Sequence, residues 1–525
     1  MDEIKRQTCL SLRRRILERA FFRMNEMQRA AVFCVRGPLL VLAGAGSGKT
    51  TVLVNRIANI VRYGEAYHSE QFSREPSGAD IALMESAAQG DAQALEKIAP
   101  LLRENPCPAR QVLSITFTNK AANEMKERLA AILGETARDL WAGTFHSVCV
   151  KILRRHDGGF PEFNAHFAIY DADDSRRMMK EVQRQLEVDE KYLPCKQILN
   201  AISRAKDQLL TPDDFARESV HSDGRQRLIA EAYARYQKLL AAANAMDFDD
   251  IIFNTVKLLE QNAEVRAHYQ QMFRYILVDE YQDTSHAQDQ LICILAAKHR
   301  NLCVVGDDDQ SIYSFRGAVV DHILRFDTLF PEARVVRLEQ NYRSTQAILN
   351  AANAVIKNNA YRKGKELWTA NNPGEALIFQ KLQDEREEAQ WVVDTILSNV
   401  SGGRMFGEHA VLYRANALSN SVEQAFVRAG VPYRIIGGRR FYERKEIRDA
   451  LGYLRVIANP ADDLRLRRVI NEPKRGIGET TVGHASSIAE EEGVSLYQVF
   501  LRADQYPALH RAAGRIAVFM RMIEN

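Results

Sequence analysis

An α/β protein built on parallel sheets and interrupted by mainly helical insertions is the fold the sequence predicts, and three observations predict it. Short apolar runs bounded by turn signals alternate with long helical patterns, the signature of buried parallel strands. A glycine-rich loop, Ala43–Thr50, stands directly between one such run and an amphipathic helical stretch. Between Asp157 and Phe273 the strand signals give way to helical periodicity.

The strand candidates of the first set are Leu39–Ala43, Val112–Thr118, Tyr275–Asp279, Leu302–Gly306 and Val335–Leu338. The intervening helical patterns are Ser175–Leu186, Cys195–Leu210, Arg225–Ala243 and Phe248–Gln261, which read as an insertion within the first α/β domain. A second α/β set follows, with strands expected at Ala376–Leu382, His409–Tyr413 and Tyr433–Ile436 and helices at Glu385–Leu397 and Asn420–Ala429. After Gly437-Gly438 the chain turns basic and helical. Two stretches stand out by charge. Gly64–Ala109 has eight acidic and three basic side chains, where a short connection would be usual, and reads as an acidic insertion with short helices such as Asp91–Leu102. Arg434–Arg475 has twelve basic and six acidic residues; a solvated helical face and a nucleic-acid contact surface both fit it.

Length and composition set the bounds. A chain of 525 residues predicts roughly three or four domains. Lys+Arg 71 against Asp+Glu 68 leaves a net charge of +3, so any nucleic-acid site must come from local segregation of charge. Seven cysteines are scattered without a C-x-x-C pair, which fits reduced thiols in a cytoplasm. The charged N-terminal stretch lacks the apolar core of a signal peptide, and no apolar run approaches the ~20 residues that span a bilayer. The expectation is a soluble cytoplasmic protein without a membrane segment.

Residues Ala43–Thr50 read AGAGSGKT and fit the phosphate-binding pattern G-x-x-x-x-G-K-[ST]. Glycines at Gly44, Gly46 and Gly48, with Ala45 and Ser47 between them, let backbone N–H groups close around a phosphate without a Cβ in the way. Lys49 supplies a point charge for the β- and γ-phosphates and Thr50 a hydroxyl for Mg²⁺. The helix expected from Thr51 to Tyr63 adds the positive end of its dipole. A nucleoside triphosphate, ATP with Mg²⁺, is the expected cofactor.

Downstream, the strand Tyr275–Asp279 ends in paired carboxylates. Nucleotide hydrolysis needs one acid for the metal and another to orient or deprotonate water; Asp279 fits the first role and Glu280 the second. The run Val304–Tyr313 brings a neutral hydrogen-bonding group, Gln310, to the same edge of the sheet, and Ser314-Phe315-Arg316-Gly317 sets an aromatic beside a cation. That pairing suits stacking on unpaired bases with electrostatic hold on the backbone, although a phenylalanine such as Phe315, taken alone, is more often a core residue.

Taken in order, these segments resemble the superfamily 1 DNA helicases of the UvrD/Rep/PcrA type. The resemblance rests on Met24-Asn25-Glu26-Met27-Gln28, AGAGSGKT, Thr116–Ala122 (TFTNKAA), Gly143–Ser147 (GTFHS), VDEYQDTS (Val278–Ser285) and VGDDDQSIYSFRGA (Val305–Ala318), then on Leu338–Thr345 (LEQNYRST) and Leu412–Asn416 (LYRAN). It implies two RecA-like P-loop lobes with parallel sheets, each with a mainly helical insertion. The implied division is 1–143 and 273–341 for the first lobe (64–109 the acidic insertion), 144–272 for its helical insertion, 342–438 for the first part of the second lobe, and 439–525 for part of that lobe's insertion.

The resemblance further implies that Gln28 reads the adenine edge and Tyr342 stacks on the base. Gln310 would sense the γ-phosphate and couple it to DNA, and Arg343 would act as an arginine finger from the second lobe. Phe117, Asn119, His146, Tyr313, Phe315 and Arg316 would line a single-strand track. The implied activity is an ATP-dependent 3′→5′ DNA helicase acting on single-stranded and duplex DNA in repair or replication. A helicase subunit of a recombination helicase–nuclease, or a DNA-stimulated ATPase that strips proteins from DNA without unwinding, are the alternatives.

Three departures qualify this. Phe315 stands where relatives often have Trp, and Thr51 where many have a basic residue. Two further motifs of the second lobe, one a V-H-x-x-K-G-L-E-like strand and turn and one with a second nucleotide-contacting arginine, are not found. The apolar-periodic segment Ile516, Phe519, Met520, Ile523 shows no stop signal. The expectation is therefore an incomplete second lobe, weak ATP binding and poor unwinding.

Overall fold

The computed structural model describes residues 3–156, 163–219, 223–360, 362–436 and 445–524. Eight strands form there: β1 (Leu39–Ala43), β2 (Val112–Thr116), β3 (Trp141–Thr144), β4 (Ala168–Ile169), β5 (Ala245–Met246), β6 (Tyr275–Val278), β7 (Leu302–Gly306) and β8 (Arg334–Leu338). Six of them make one parallel sheet in the order β3-β2-β6-β7-β1-β8, and β4 pairs with β5 in a separate parallel ladder. All five strands expected in the first set are present.

Parallel strands are covered on both faces, and β1 shows how the sequence arranges this. Leu40 and Leu42 enter one core with helices Phe145–Arg155, Phe248–Gln261 and His286–Ala296. Leu39, Val41 and Ala43 enter the other, with helices Glu26–Phe33, Lys49–Arg62 and Asn119–Leu133. The strand β3 was not expected. It holds four residues, one of them Gly143, and lies at the edge beside β2, where a short apolar run suffices.

The helical stretch has a core of its own that runs from Tyr170 to Ala245 and includes Met179, Ile198, Tyr233 and Tyr236. Residues from Val456 to Ile523 build another helical core. The two are joined by buried polar contacts: Tyr170 donates to Asp462 at 2.6 Å, Arg465 forms a two-pronged ion pair with Asp174, and the Asn459 amide donates to the Ala243 carbonyl at 3.0 Å. The terminal apolar segment read as cut off is the helix His510–Glu524, whose Ile516, Phe519, Met520 and Ile523 are buried in this core.

The acidic stretch forms helices Gly78–Gln89 and Ala92–Ile98 and packs with the N-terminal helix Glu3–Ala20 around Cys9, Ile16, Met84 and Ile98. Its neck closes where Glu65 N donates to Glu104 O at 2.7 Å and Glu104 N to Tyr63 O at 3.0 Å. Gly64 has φ +63° here, and a Cβ on it would overlap the Glu104 carbonyl oxygen, so only glycine fits.

Two compact units result: Met1–Pro373 with Gly452–Asn525, and Gly374–Leu451. In the second unit, helices Glu385–Ser401 and Ser419–Ala429 pack through Ala389, Val393, Ile396, Ala425 and Phe426. The strands expected at 376–382, 409–413 and 433–436 do not form there. A strand exists through its ladder, and among the described residues these segments have none. Their apolar side chains are correspondingly exposed, Phe379 at 92% and Leu412 at 94%. Among the described residues no helix is long and apolar enough to cross a membrane, and the seven cysteines are free thiols.

Candidate functional site

Strands β1, β6 and β7 deliver their following loops to one edge of the sheet, the carboxyl end, where open α/β sheets bind ligands. The loop after β1 is folded by its own glycines: Gly46 has φ +68° and Gly48 +86°. Three of its carbonyls are tied off from outside. Ala45 O accepts from the Asn341 amide at 2.6 Å, Gly46 O from Tyr342 N at 3.0 Å and Ser47 O from the Gln28 amide at 2.9 Å. Ser47 closes the turn by donating its hydroxyl to Gly44 O at 2.7 Å. The helix Lys49–Arg62 starts at Gly48 with no side-chain cap, so its first N–H groups remain as donors for a phosphate.

The loop after β6 carries the paired acids. Asp279 is 5% exposed and accepts from Glu280 N at 3.0 Å. Burial first, then the Glu280 charge, pushes its carboxyl up to about 6, against the pull of Lys49. A buried carboxylate that reluctant to ionise is a group a divalent cation would satisfy. Glu280 has left-handed backbone, φ +51°, unusual for a non-glycine residue. Its Oε2 accepts from Lys49 Nζ at 2.8 Å and from the Gln282 amide at 3.0 Å. Burial would raise its carboxyl, but Lys49 and Gln282 outweigh that and hold it below the usual value.

After β7 the turn Asp307–Gln310 is held by Gln282, whose Oε1 accepts from Asp307 N at 3.0 Å. Gln310 is exposed and donates to Asp307 Oδ2 at 2.5 Å. Among the described residues, the one acidic group spaced for a metal is Asp307, Asp308 and Asp309, and Lys365 Nζ sits among those carboxylates.

Tyr342 and Arg343 lie in the same compact unit as the phosphate loop. A Cβ on Gly46 would stand 2.6 Å from Asn341 Nδ2 and 2.8 Å from Arg343 Cβ, so the segment seats directly on the loop. Tyr342 is half exposed, with its hydroxyl 2.9 Å from both Asn25 Nδ2 and Gln340 Oε1. Gln28, 4% exposed, spends its carboxamide on Ser47 O and Asn25 N, completing a capping box with Asn25.

The residues expected to meet DNA do not form one cluster. Phe117, Tyr313 and Phe315 form a row of rings with centroids 5.2 and 5.9 Å apart, and Phe315 is 71% exposed. His146 makes an edge contact with the exposed Phe248 at 5.3 Å; burial holds its imidazole below the usual value, against a hydrogen bond at the Phe248 backbone. Asn119 is exposed at the first position of helix Asn119–Leu133. The Arg316 side chain lies outside the described residues.

Sequence reasoning missed three participants. Gln282 links Glu280 to the Asp307–Gln310 turn and accepts from the Ser311 hydroxyl on its backbone oxygen. Asp283, which accepts from the Gln282 amide at 3.3 Å, lies against the backbone of Ile312 and Tyr313, whose N–H groups oppose the rise that burial gives its carboxyl. Phe248 completes the ring pair with His146. The first two stood inside a motif already quoted, and Phe248 inside a helix whose pattern reads as core.

The family model of the UvrD/REP helicase N-terminal domain matches residues 24–72 and 80–331, and that of the UvrD-like helicase C-terminal domain matches residues 336–510. The expectation of an incomplete second lobe is therefore not supported. The match to the C-terminal family model continues past Leu412–Asn416 through the helical core at Val456–Leu509. An ATP-dependent DNA helicase PcrA of Staphylococcus epidermidis is 42% identical over 502 residues, 96% of this chain and 63% of that protein. One of Staphylococcus aureus is 43% identical with the same coverage. The chain thus spans 63% of the length of these relatives. With both domain models matched in order across its two compact units, the chain belongs to the UvrD/REP helicase family.

Proposed function

We propose that the chain is an ATP-driven motor on DNA, a 3′→5′ single-strand translocase and helicase of repair or replication in the cytoplasm. The observation that carries this is the Lys49–Glu280 ion pair beside a loop three of whose carbonyls, those of Ala45, Gly46 and Ser47, are held by amides from outside it. Lys49 and the backbone of residues 43–50 would hold the phosphates; Thr50 and Asp279 would hold Mg²⁺. Gln28 and Tyr342 would meet the base, which requires the Gln28 carboxamide to give up part of its present bonding. ATP supplies the phosphoryl group that water attacks. When its phosphates draw Lys49 away, Glu280 is released to orient the water and accept its proton, while Arg343 and Gln310 meet the developing charge.

Coupling follows from connectivity. Glu280 touches Gln282, Gln282 holds the turn at Asp307 and accepts from the Ser311 hydroxyl two residues before Tyr313, and Asp283 lies against the backbone of Tyr313. A shift at the carboxylate is thereby passed to the row Phe117, Tyr313, Phe315, which would stack on bases, with Asn119, His146 and Arg316 along the same track. The division of the chain into two RecA-like lobes with helical insertions at 144–272 and 439–525 belongs to this proposal. Displacement of a labelled strand from 3′-tailed and 5′-tailed duplexes tests it. Unwinding of the 3′-tailed substrate alone is expected; equal or reversed preference contradicts the polarity, and ATP turnover without any displacement favours the protein-stripping alternative.

A further inference from the structure

We infer that Lys365 is a positioning residue for the hydrolytic site: its ammonium, enclosed by Asp307, Asp308 and Asp309, fixes the turn that presents Gln310 and ties that turn to the segment bearing Arg343. The inference rests on the functional reading above and adds to it a residue outside every motif.

Three carboxylates whose oxygens lie within 4.8 Å of one another repel strongly and need a cation between them. Lys365 Nζ is that cation. It is 2.7 Å from Asp307 Oδ1 and 2.9 Å from Asp309 Oδ2, and its closest contact is with Asp308. Burial works against its charge, but the aspartates, Asp307 foremost, prevail and raise its affinity for the proton. Arg362, at 3.0 Å from Asp309, adds a second positive charge at the rim.

What separates this from a plain stabilising ion pair is what each side is attached to. Asp307 holds Lys365 on one oxygen and the Gln310 amide on the other, so the ammonium sets the orientation of the carboxylate on which Gln310 rests. On the other side, Leu367 lies against Gly44 of the phosphate loop. Trp368 O accepts from Asn341 N at 2.8 Å, and the Thr369 hydroxyl donates to Asn341 O at 2.8 Å. Asn341 Oδ1 in turn accepts from Arg343 N at 2.8 Å. One lysine therefore sets the distance between Gln310 and Arg343, two groups that must reach the same phosphate. Three single contacts converging on one point suit a compact ammonium and not the wide planar fork of a guanidinium.

The test is steady-state ATP hydrolysis at saturating single-stranded DNA by wild type, K365R and the charge-compensated double variant K365M/D308N, each with a thermal melt. Both variants should melt near wild type and keep KM for ATP within about twofold, while kcat falls about tenfold or more. A kcat within about twofold of wild type in either folded variant overturns the inference. So does failure of K365R to fold, which would make the role purely structural. Wild type without DNA-stimulated turnover would instead bring down the functional reading, and this inference with it.

Discussion

Lys49 and Glu280 are 231 residues apart in sequence, yet Lys49 Nζ lies 2.8 Å from Glu280 Oε2. The lysine proposed to bind phosphate and the carboxylate proposed to act as the base thus neutralise each other in this structure. Lys49→Ala should lower ATP turnover by about 10²–10³-fold through loss of phosphate charge stabilisation. Glu280→Gln should lower it by about 10²–10⁴-fold, the size of a general-base contribution, while still binding ATP. Fluorescent-nucleotide binding beside turnover separates the two; retained turnover in Glu280→Gln removes it as the base.

Phe315 is the most exposed ring of the Phe117–Tyr313–Phe315 row. Phe315→Ala should weaken single-stranded DNA binding by about 1–3 kcal/mol, one base stack, and Phe315→Trp should match or exceed wild type. Fluorescence anisotropy with a labelled oligonucleotide reads both.

At the neck of the acidic stretch, Gly64→Ala places a methyl group against the Glu104 carbonyl in left-handed backbone. A loss of at least about 1–3 kcal/mol is expected by chemical denaturation, from backbone strain with the clash added to it. A variant as stable as wild type would mean that the neck opens freely.

Asp463 supplies the pH dependence. Burial pushes its carboxyl from the ordinary 3.8 up to about 6, against the Leu496 N–H and Arg467 and with help from Asp462. The folded pKa is raised, so ionisation is what the fold resists. Stability is unaffected below pH 3.8, falls as the pH rises towards 6 and stays lowered above it. Asp463→Asn keeps an acceptor for Leu496 N and should gain about 1–2 kcal/mol at pH 7 and nothing at pH 3.5. Melting curves at the two pH values decide it.

How much of this could be read from the sequence depends on where the information sits. Strands that end in chemistry were legible, because β1, β6 and β7 are continuous apolar runs with phosphate-loop or acidic residues at their ends. The edge strand β3 was not, since Trp-Ala-Gly-Thr has neither length nor periodicity. Apolar runs at 376–382, 409–413 and 433–436 read as strands on composition, yet a strand needs a partner that composition does not reveal. Lys365 was invisible for another reason: it meets Asp308 across 57 residues, and nothing near it in sequence marks it. Gln28 was legible as part of a motif, but its present partners, Asn25 and Ser47, were not.

The most direct measurement of the central claim is the rate of ATP hydrolysis by this chain as single-stranded DNA is added. If the ion pair of Lys49 and Glu280 is a resting state that links nucleotide to the ring row through Gln282 and Asp283, turnover should rise with DNA and saturate. Turnover independent of DNA, at any concentration that saturates binding, would contradict the account.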